Sequence, residues 1–537
     1  MTKGSVVVDA EALGRVGTAL ADPTRRRLLL SLVEGPAFPS GLADRLGLTR
    51  ANVSNHLACL RGCGLVVTVP VGRRVRYELA DPRLAGALAQ LASLAPAVIV
   101  TLGERGLMPI PRYTASSPFA RSPSVFHLHY SDRFFAACCW VGMVLAGLAV
   151  VGVVDRAPLW GWMIIWAVLW ALQLSILNVG QRWYSFGWET LLAEAGFLAI
   201  LLGPADVAPP LLIMWALRWL LFRVEFGAGL VKMRGDRCWR DLTCLDYHHE
   251  TQPMPNPFSW RFHHLPTPLH RAEVLANHIT QLVVVFGLFA PQPFATVAAL
   301  VMIVTQGWLM LSGNFAWLNL LTATLALSVL DDRLLAWILP IDRPVDLAEP
   351  VWLGVLVAVV ALGLAVLSYQ PIRNLASKRQ AMNASFDPLR LVNTYGAFGS
   401  VTKERREVIL EATDDPQPGP DTVWVEYRFK AKPGDVTRRP PQFAPYHLRL
   451  DWLMWFVAIS PNYGAGWLRP LMSRLAANDA GVQSLLAYSP FTDEGPTYVR
   501  ALVYRYRFTT AEERRATGAW WHRTYLGELI GPVKGAS

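Results

Sequence analysis

The chain has 537 residues, 53% of them hydrophobic and only 17% charged, which excludes an ordinary soluble globular protein and leaves room for several domains. Its net charge of +10 suits nucleic acid or an anionic membrane surface as partner. Six cysteines, at positions 59, 63, 138, 139, 238 and 244, are too few for a disulfide scaffold.

The N-terminus, "MTKGSVVVDAEALGRV", has early acids and no long apolar core, so the head is expected to stay in the cytoplasm. Residues 1–100 carry 12 Lys and Arg against 7 Asp and Glu. "DAEALGRVGTALA" has helical spacing, and Pro23 opens a second helix, "PTRRRLLLSLVEG", that Gly35 stops. A short helix, "SGLADRLGL", precedes a helix capped by Thr49, "RANVSNHLACLRGC". A short helix, a tight turn and a polar-faced helix make a helix-turn-helix. On the second helix Val53, Leu57 and Leu60 form the apolar stripe, leaving Arg50, Asn52, Ser54, Asn55 and His56 as candidate contacts to bases and phosphates of duplex DNA. The following "LVVTVPVGRRVRYELA" reads as a hairpin with a basic tip, and Arg73, Arg74 and Arg76 are its candidate phosphate contacts. Cys59 and Cys63, four apart on one helical face, could hold one soft ion, cadmium, lead or zinc; packing of two small residues against the wing is the plainer alternative.

These motifs, "ALADPTRRRLLLSLVEG", "LADRLGLTRANVSNHLACLRGCGLV" and "GRRVRYELAD", make residues 9–95 resemble the ArsR/SmtB winged-helix metalloregulators. The cysteines of "NHLACLRGCGL" point to the cadmium- and lead-sensing branch. The resemblance implies a homodimer that releases DNA when metal binds. That branch takes a third cysteine from the tail, and the tail here has neither Cys nor His, so the implied three-thiolate site is incomplete.

Residues 101–130, rich in Pro, Ser, Gly and Arg, are expected to be a flexible linker, with Gly103–Ser124 its 22-residue spacer. Residues 131–370 follow as a multi-span α-helical domain, with apolar runs near 134–154, 157–177, 190–203, 208–224, 274–290, 294–311, 315–330 and 350–368. With the head inside, the joints on its side hold 10 Lys and Arg and the opposite joints 3, which favours eight spans with both ends in the cytoplasm. Glu194 and Arg218 are expected to form a buried pair, and Arg223 to reach an interface.

The long joint 225–273 gathers His248, His249, Glu250, His263, His264 and His270. The spacings match no standard metal motif, so a folded interfacial loop is expected. In residues 375–537, "TVWVEYRFKA" and "YVRALVYRYRFTT" alternate as strands while "HLRLDWLMWFVAI" and "GWLRPLMSRLAAN" are helical, giving a soluble α+β domain. Segments such as "NVGQRWYSFGWETLLAEAGFLAILLGP", "GDRCWRDLTCLDYHHETQPMPNPFSW", "LVNTYGAFGSVTKERREVILE" and "PPQFAPYHLRLDWLMWF" make residues 125–530 resemble the lipase maturation factors. That resemblance implies a chaperone or assembly role towards a lipase-like client.

The expectation for the whole is a multidomain, multi-pass membrane protein whose head is a DNA-binding transcriptional regulator. Residues 375–537 show no nucleophile–base pair, P-loop or dinucleotide fingerprint, which favours binding over catalysis there. Two alternatives stand beside it: a membrane enzyme with its site in the His-rich joint, and an accidental fusion of a regulator to an independent membrane protein.

Overall fold

A computed structural model of the chain describes residues 23–33, 35–72, 74–80, 109–338, 347–491 and 494–534. It divides into two compact units, Met1–Leu102 and Gly103–Ser537.

In the first unit, α1 (Pro23–Val33), α2 (Pro39–Leu46) and α3 (Arg50–Gly62) enclose a core of Leu28, Leu29, Leu32, Leu42, Val53, Leu57 and Leu60. Gly47, left-handed at φ 63°, ends α2, a conformation that costs glycine nothing. Thr49 then caps α3, its side chain accepting from the Asn52 N–H at 3.3 Å. Strands β1 (Val66–Val71) and β2 (Arg74–Leu79) pair antiparallel with Val71 opposite Arg74, so the hairpin turns in two residues, and Gly72 takes φ 60°. Ala37 bridges to Tyr77 and fastens this wing to the helices. The expected helix over 9–22 and the tail after Ala80 lie outside the described residues.

The second unit starts with a departure from expectation. Much of the presumed linker is packed. Residues Ile110–Ser116 form a helix, and the chain after it is stitched to α5 (Leu159–Val179), which follows α4 (Asp132–Val150). Ser122 Oγ donates to the Asn178 carbonyl and Ser124 Oγ to the Ser175 carbonyl, each at 3.1 Å. Asn178 Nδ2 in turn donates to the Pro123 carbonyl at 2.9 Å. Serines and prolines here saturate a helix end instead of solvating a spacer; of the expected linker, residues 101–108 lie outside the described residues.

The bundle continues through α6 (Gly187–Ala199), α7 (Leu211–Arg234), α8 (Thr267–Leu282, prolonged by a tight turn to Phe289), α9 (Phe294–Ser312), α10 (Leu318–Leu327) and α11 (Val351–Leu367). Among the described residues five helices are long and apolar enough to cross a membrane: Asp132–Val150, Leu159–Val179, Thr267–Phe289, Phe294–Ser312 and Val351–Ala376. The protein is thus a multi-pass membrane protein. α7 has 24 residues, about 36 Å at 1.5 Å per residue, but carries Arg218, Arg223, Glu225, Lys232 and Arg234. α6 and α10, with 13 and 10 residues, are as short as the apolar runs there foretold.

The segments α4 to α11 run alternately. At one end, Trp162 at the start of α5 donates to the Ala199 carbonyl that closes α6, and Val207 bridges to Ala348. At the other end lie residues 109–131, the ends of α5 and α7, and the whole C-terminal region. The tail packs within the same compact unit as the bundle. Its antiparallel sheet, in the order β4 (Val425–Glu426), β3 (Arg405–Thr413), β5 (Tyr498–Phe508), β6 (Trp521–Lys534), rests on helices Arg449–Ile459 and Leu468–Ala476. One core joins Phe186, Trp188, Met254 and Phe315 of the membrane body to Val408, Leu410, Trp452 and Met472 of the tail.

Candidate functional site

The head presents its expected surface. Val53, Leu57 and Leu60 are buried, which leaves Arg50, Asn52, Ser54 and Asn55 exposed and His56 half-buried. Because α2, the turn and α3 are locked by the Gly47 and Thr49 caps, the polar face of α3 is rigidly held. Of the wing arginines, Arg76 is half-exposed and meets Glu78 Oε2 at 3.4 Å, two residues along the same strand face, so part of its charge is already answered. Arg74 opens β2 at the turn, and Arg73 lies outside the described residues.

Cys59 is exposed and Cys63 half-buried, and neither forms a disulfide. Arg25 Nη1 donates to Cys59 Sγ at 2.8 Å. Among the described residues no group of three or more His, Cys, Asp or Glu could hold a metal ion. The head therefore offers a soft metal two sulfurs on one helix face, short of the three that the resemblance implies.

The His-rich joint is narrower than expected, from Gly235 to Pro266, because helices occupy both of its ends. It folds as three short helices, Arg237–Arg240, Leu245–Thr251 and Ser259–His263, and Cys238 forms a disulfide with Cys244. Its histidines do not converge. His249 faces Glu273 at 3.7 Å, His263 faces Glu250 at 3.6 Å, and His270 lies between Asp246 at 3.2 Å and the Phe262 carbonyl at 2.9 Å. His264 stacks on Trp260 with ring centroids 4.3 Å apart. Burial pushes His248 and His263 each down to about 3, so both rings are neutral near pH 7. Glu250, raised by burial, accepts the Phe508 N–H at 2.6 Å. These residues tie the joint to the tail sheet and to α8, and the geometry is that of a folded loop.

Two buried ion networks complete the stitching. Arg223, not Arg218, pairs with Glu194, both side chains being 2% exposed. Arg218 sits beyond reach, over the Trp215 ring and donating to the Leu288 carbonyl at 3.1 Å. Glu194 Oε2 also accepts from the Asn393 N–H at 3.1 Å, Asn393 Nδ2 at 2.9 Å and Tyr395 OH at 2.7 Å. The "LVNTYG" stretch, expected in a soluble domain, is thus the far side of an intramembrane charge pair. In the tail, Arg405 and Lys432 share Glu407, and Arg405 reaches across to the carbonyls of Glu250, Gln252 and Pro253.

A multi-pass body bearing a winged helix-turn-helix is the class this geometry defines. Family comparison agrees for each part. Residues 22–68 match the bacterial regulatory protein, arsR family; residues 88–337 match the lipase maturation factor transmembrane domain; residues 391–531 match its C-terminal domain. Lipase maturation factor 1 of Bos taurus is 41% identical over 471 residues, covering 80% of this chain and 84% of that protein. Lipase maturation factor 2 of Homo sapiens is 29% identical over 516 residues, covering 73% and 72%. The NMR structure of the cadmium metal-sensor CMTR from Mycobacterium tuberculosis is 60% identical over 15% of this chain and 85% of that one, with a TM-score of 0.15. The chain belongs to the lipase maturation factor family and carries an ArsR-family helix-turn-helix ahead of that body.

Proposed function

We propose that the head is a dimeric, DNA-binding transcriptional regulator in the cytoplasm, and that the body anchors it in the membrane while assisting a lipase-like client to fold or assemble. The single observation behind the first half is the α3 surface, polar and exposed on one side, buried on the other, beside a two-residue basic wing. Residues 1–102, a compact unit of their own, are expected to bind duplex DNA as a dimer. Replacing Arg50 and Asn52 with alanine should cost about 1–3 kcal/mol per specific base contact. Arg74→Ala should weaken binding to all sequences and flatten the salt dependence. Electrophoretic mobility shifts at two salt concentrations read both effects; binding that ignores salt, or that survives all three substitutions, would remove the reading. Cadmium would act through Cys59 and Cys63, so Cys59→Ser should abolish any release of DNA by that ion. Release that persists in Cys59→Ser would exclude the pair.

The orientation of the body is inferred from the disulfide. Disulfides persist in oxidising compartments, and Cys238–Cys244 lies on the same end of the bundle as the tail. This weighs against the charge count, which assigns that end to the cytoplasm. A bridge reports the compartment of its own residues, whereas the positive-inside bias is statistical and assumes that every short segment crosses. Because residues 109–131 share the tail's end of the bundle, a cytoplasmic head also requires one membrane crossing ahead of residue 109, for which the uncharged stretch 84–102 has the composition. Enzyme reporters fused at position 2 and in the exposed loop at Gln417 are then expected to register opposite compartments. The same compartment for both would refute this orientation.

A further inference from the structure

The cavity between α8 and α9 shares no residue with the DNA-binding surface and meets the His-rich joint's ion pairs only at Glu273, which faces His249. Its volume is about 590 Å³, well within the span of small-molecule sites, and it is walled by α7 to α10 with Trp239, His248 and Phe398. Leu269, Ala272, Ala276, Val304 and Trp308 make its exposed mouth, and the half-buried Glu273 beside them accepts from Trp308 Nε1 at 2.8 Å. They lie on two helices long and apolar enough to cross a membrane, so the mouth faces acyl chains.

The interior is of different chemistry. Glu225, Lys232, Gln281, Gln306 and Asn319 line it and are buried. Lys232 Nζ donates to Asn277 Oδ1 at 2.7 Å and to Gln281 Oε1 at 3.0 Å. Gln281 Nε2 donates to Glu225 Oε2 at 3.1 Å, and Gln306 Nε2 to Glu225 Oε1 at 2.6 Å. Through Gln281 the ammonium and the Glu225 carboxylate answer each other, and the third charged lining residue, Glu273, faces His249 at 3.7 Å. Two lining atoms stay unpartnered: Asn319 Nδ2, on a residue 2% exposed, and His248 Nδ1, on one 8% exposed. Buried polar atoms almost always find partners, so two orphans lining one cavity point to a bound molecule.

We propose that this cavity binds one membrane lipid of the neutral acylglycerol class. Its ester carbonyl accepts from Asn319 Nδ2, its free hydroxyl pairs with His248 Nδ1, and its acyl chains leave between Ala276 and Val304. An anionic head would set a second negative charge beside Glu225, and a cationic head a second positive one beside Lys232; an uncharged head disturbs neither. The proposal is independent of any activity of the head.

The test uses the purified full chain in maltoside micelles and a diacylglycerol with a photoreactive diazirine in one acyl chain, with adducts mapped by peptide mass spectrometry. Adducts are expected on peptides from 267–282 and 294–312, competed by unlabelled diacylglycerol and at least tenfold less well by phosphatidic acid of the same chains. Ala276→Trp, a substitution at the exposed mouth, should reduce labelling at least tenfold, and Asn319→Leu several-fold, with gel filtration and melting showing both folded. Should either variant unfold, the adduct map and the competition series on the unaltered chain still decide. Labelling as strong on 132–150 and 351–367 as at the cavity, or labelling untouched by Ala276→Trp in a folded chain, overturns the site. Equal competition by phosphatidic acid overturns the uncharged head.

Discussion

Arg223→Met is expected to destabilise the membrane body by about 3–5 kcal/mol, because it strands the Glu194 carboxylate in the bundle with no cation. The partners that remain, Asn393 and Tyr395, donate hydrogen bonds but carry no charge. Removing both charges together, as Arg223→Met with Glu194→Leu, leaves no buried ion and should restore a good part of the loss. It will not restore all of it, since Tyr395 OH and the Asn393 backbone N–H then lose their acceptor. Thermal unfolding of the full chain in detergent, read for the two single variants and the double, gives the coupling energy. A double variant as unstable as the sum of the singles would show that the two side chains are not a pair. Arg218→Met is the control: its guanidinium meets only a carbonyl and a ring, so its effect should be much smaller.

That pair also shows where reading the sequence stops. Helical spacing of Val53, Leu57 and Leu60, with Thr49 ahead of them, suffices to orient α3, because a three-residue apolar stripe has only one core to face. The strand in "YVRALVYRYRFTT" and the helix in "HLRLDWLMWFVAI" follow from period alone, and both form. Alternation of the apolar runs likewise anticipates α4 to α11. Partner choice inside the bundle is another matter. Glu194 lies about as far along the sequence from Arg218 as from Arg223, and which one turns inward is decided by the tail, whose Asn393 and Tyr395 close over Arg223. Nothing local in "LVNTYG" says that it enters a membrane domain. Composition also misleads over residues 109–124: Pro and Ser resemble a spacer, yet the same hydroxyls cap the carbonyls that end α5. The His-rich joint is legible as a folded loop from the lack of metal spacing, but its disulfide is not, since six cysteines at these positions allow many pairings. Strand β3, "RREVILEAT", opens with charges whose burial no local pattern signals: Arg405 and Glu407 are buried because each answers the other, with Lys432 also on the carboxylate and the carbonyls of Glu250, Gln252 and Pro253 on the guanidinium.

The close approach of the tail to α7 supports a second large effect. Along "FGAGLVKMRGD", Gly227 and Gly235 lie about two helical turns apart and face one extended stretch of the tail. A Cβ on Gly227 would fall far inside contact distance of the Tyr395 carbonyl oxygen, and one on Gly235 closer still to that of Gly399. Neither neighbour is a side chain that could swing aside. The backbone at Gly399 is further held by the Asp236 N–H, which donates to its carbonyl at 2.9 Å, and by Asp236 Oδ2, which accepts from Val401 at 2.7 Å. Gly235→Ala must therefore push two backbones apart and break the hydrogen bond that aligns them. A loss of at least about 3 kcal/mol is expected, the upper end of what overpacking costs, and it should loosen the tail before the bundle. Limited proteolysis between residues 377 and 404, followed with thermal unfolding, would register that order. Gly307→Ala in α9 has no atom within 4 Å of its added Cβ, and helix propensity favours alanine there. Equal losses for the two substitutions would mean that the tail does not lean on α7, and that the shared core of body and tail holds by its apolar contacts alone.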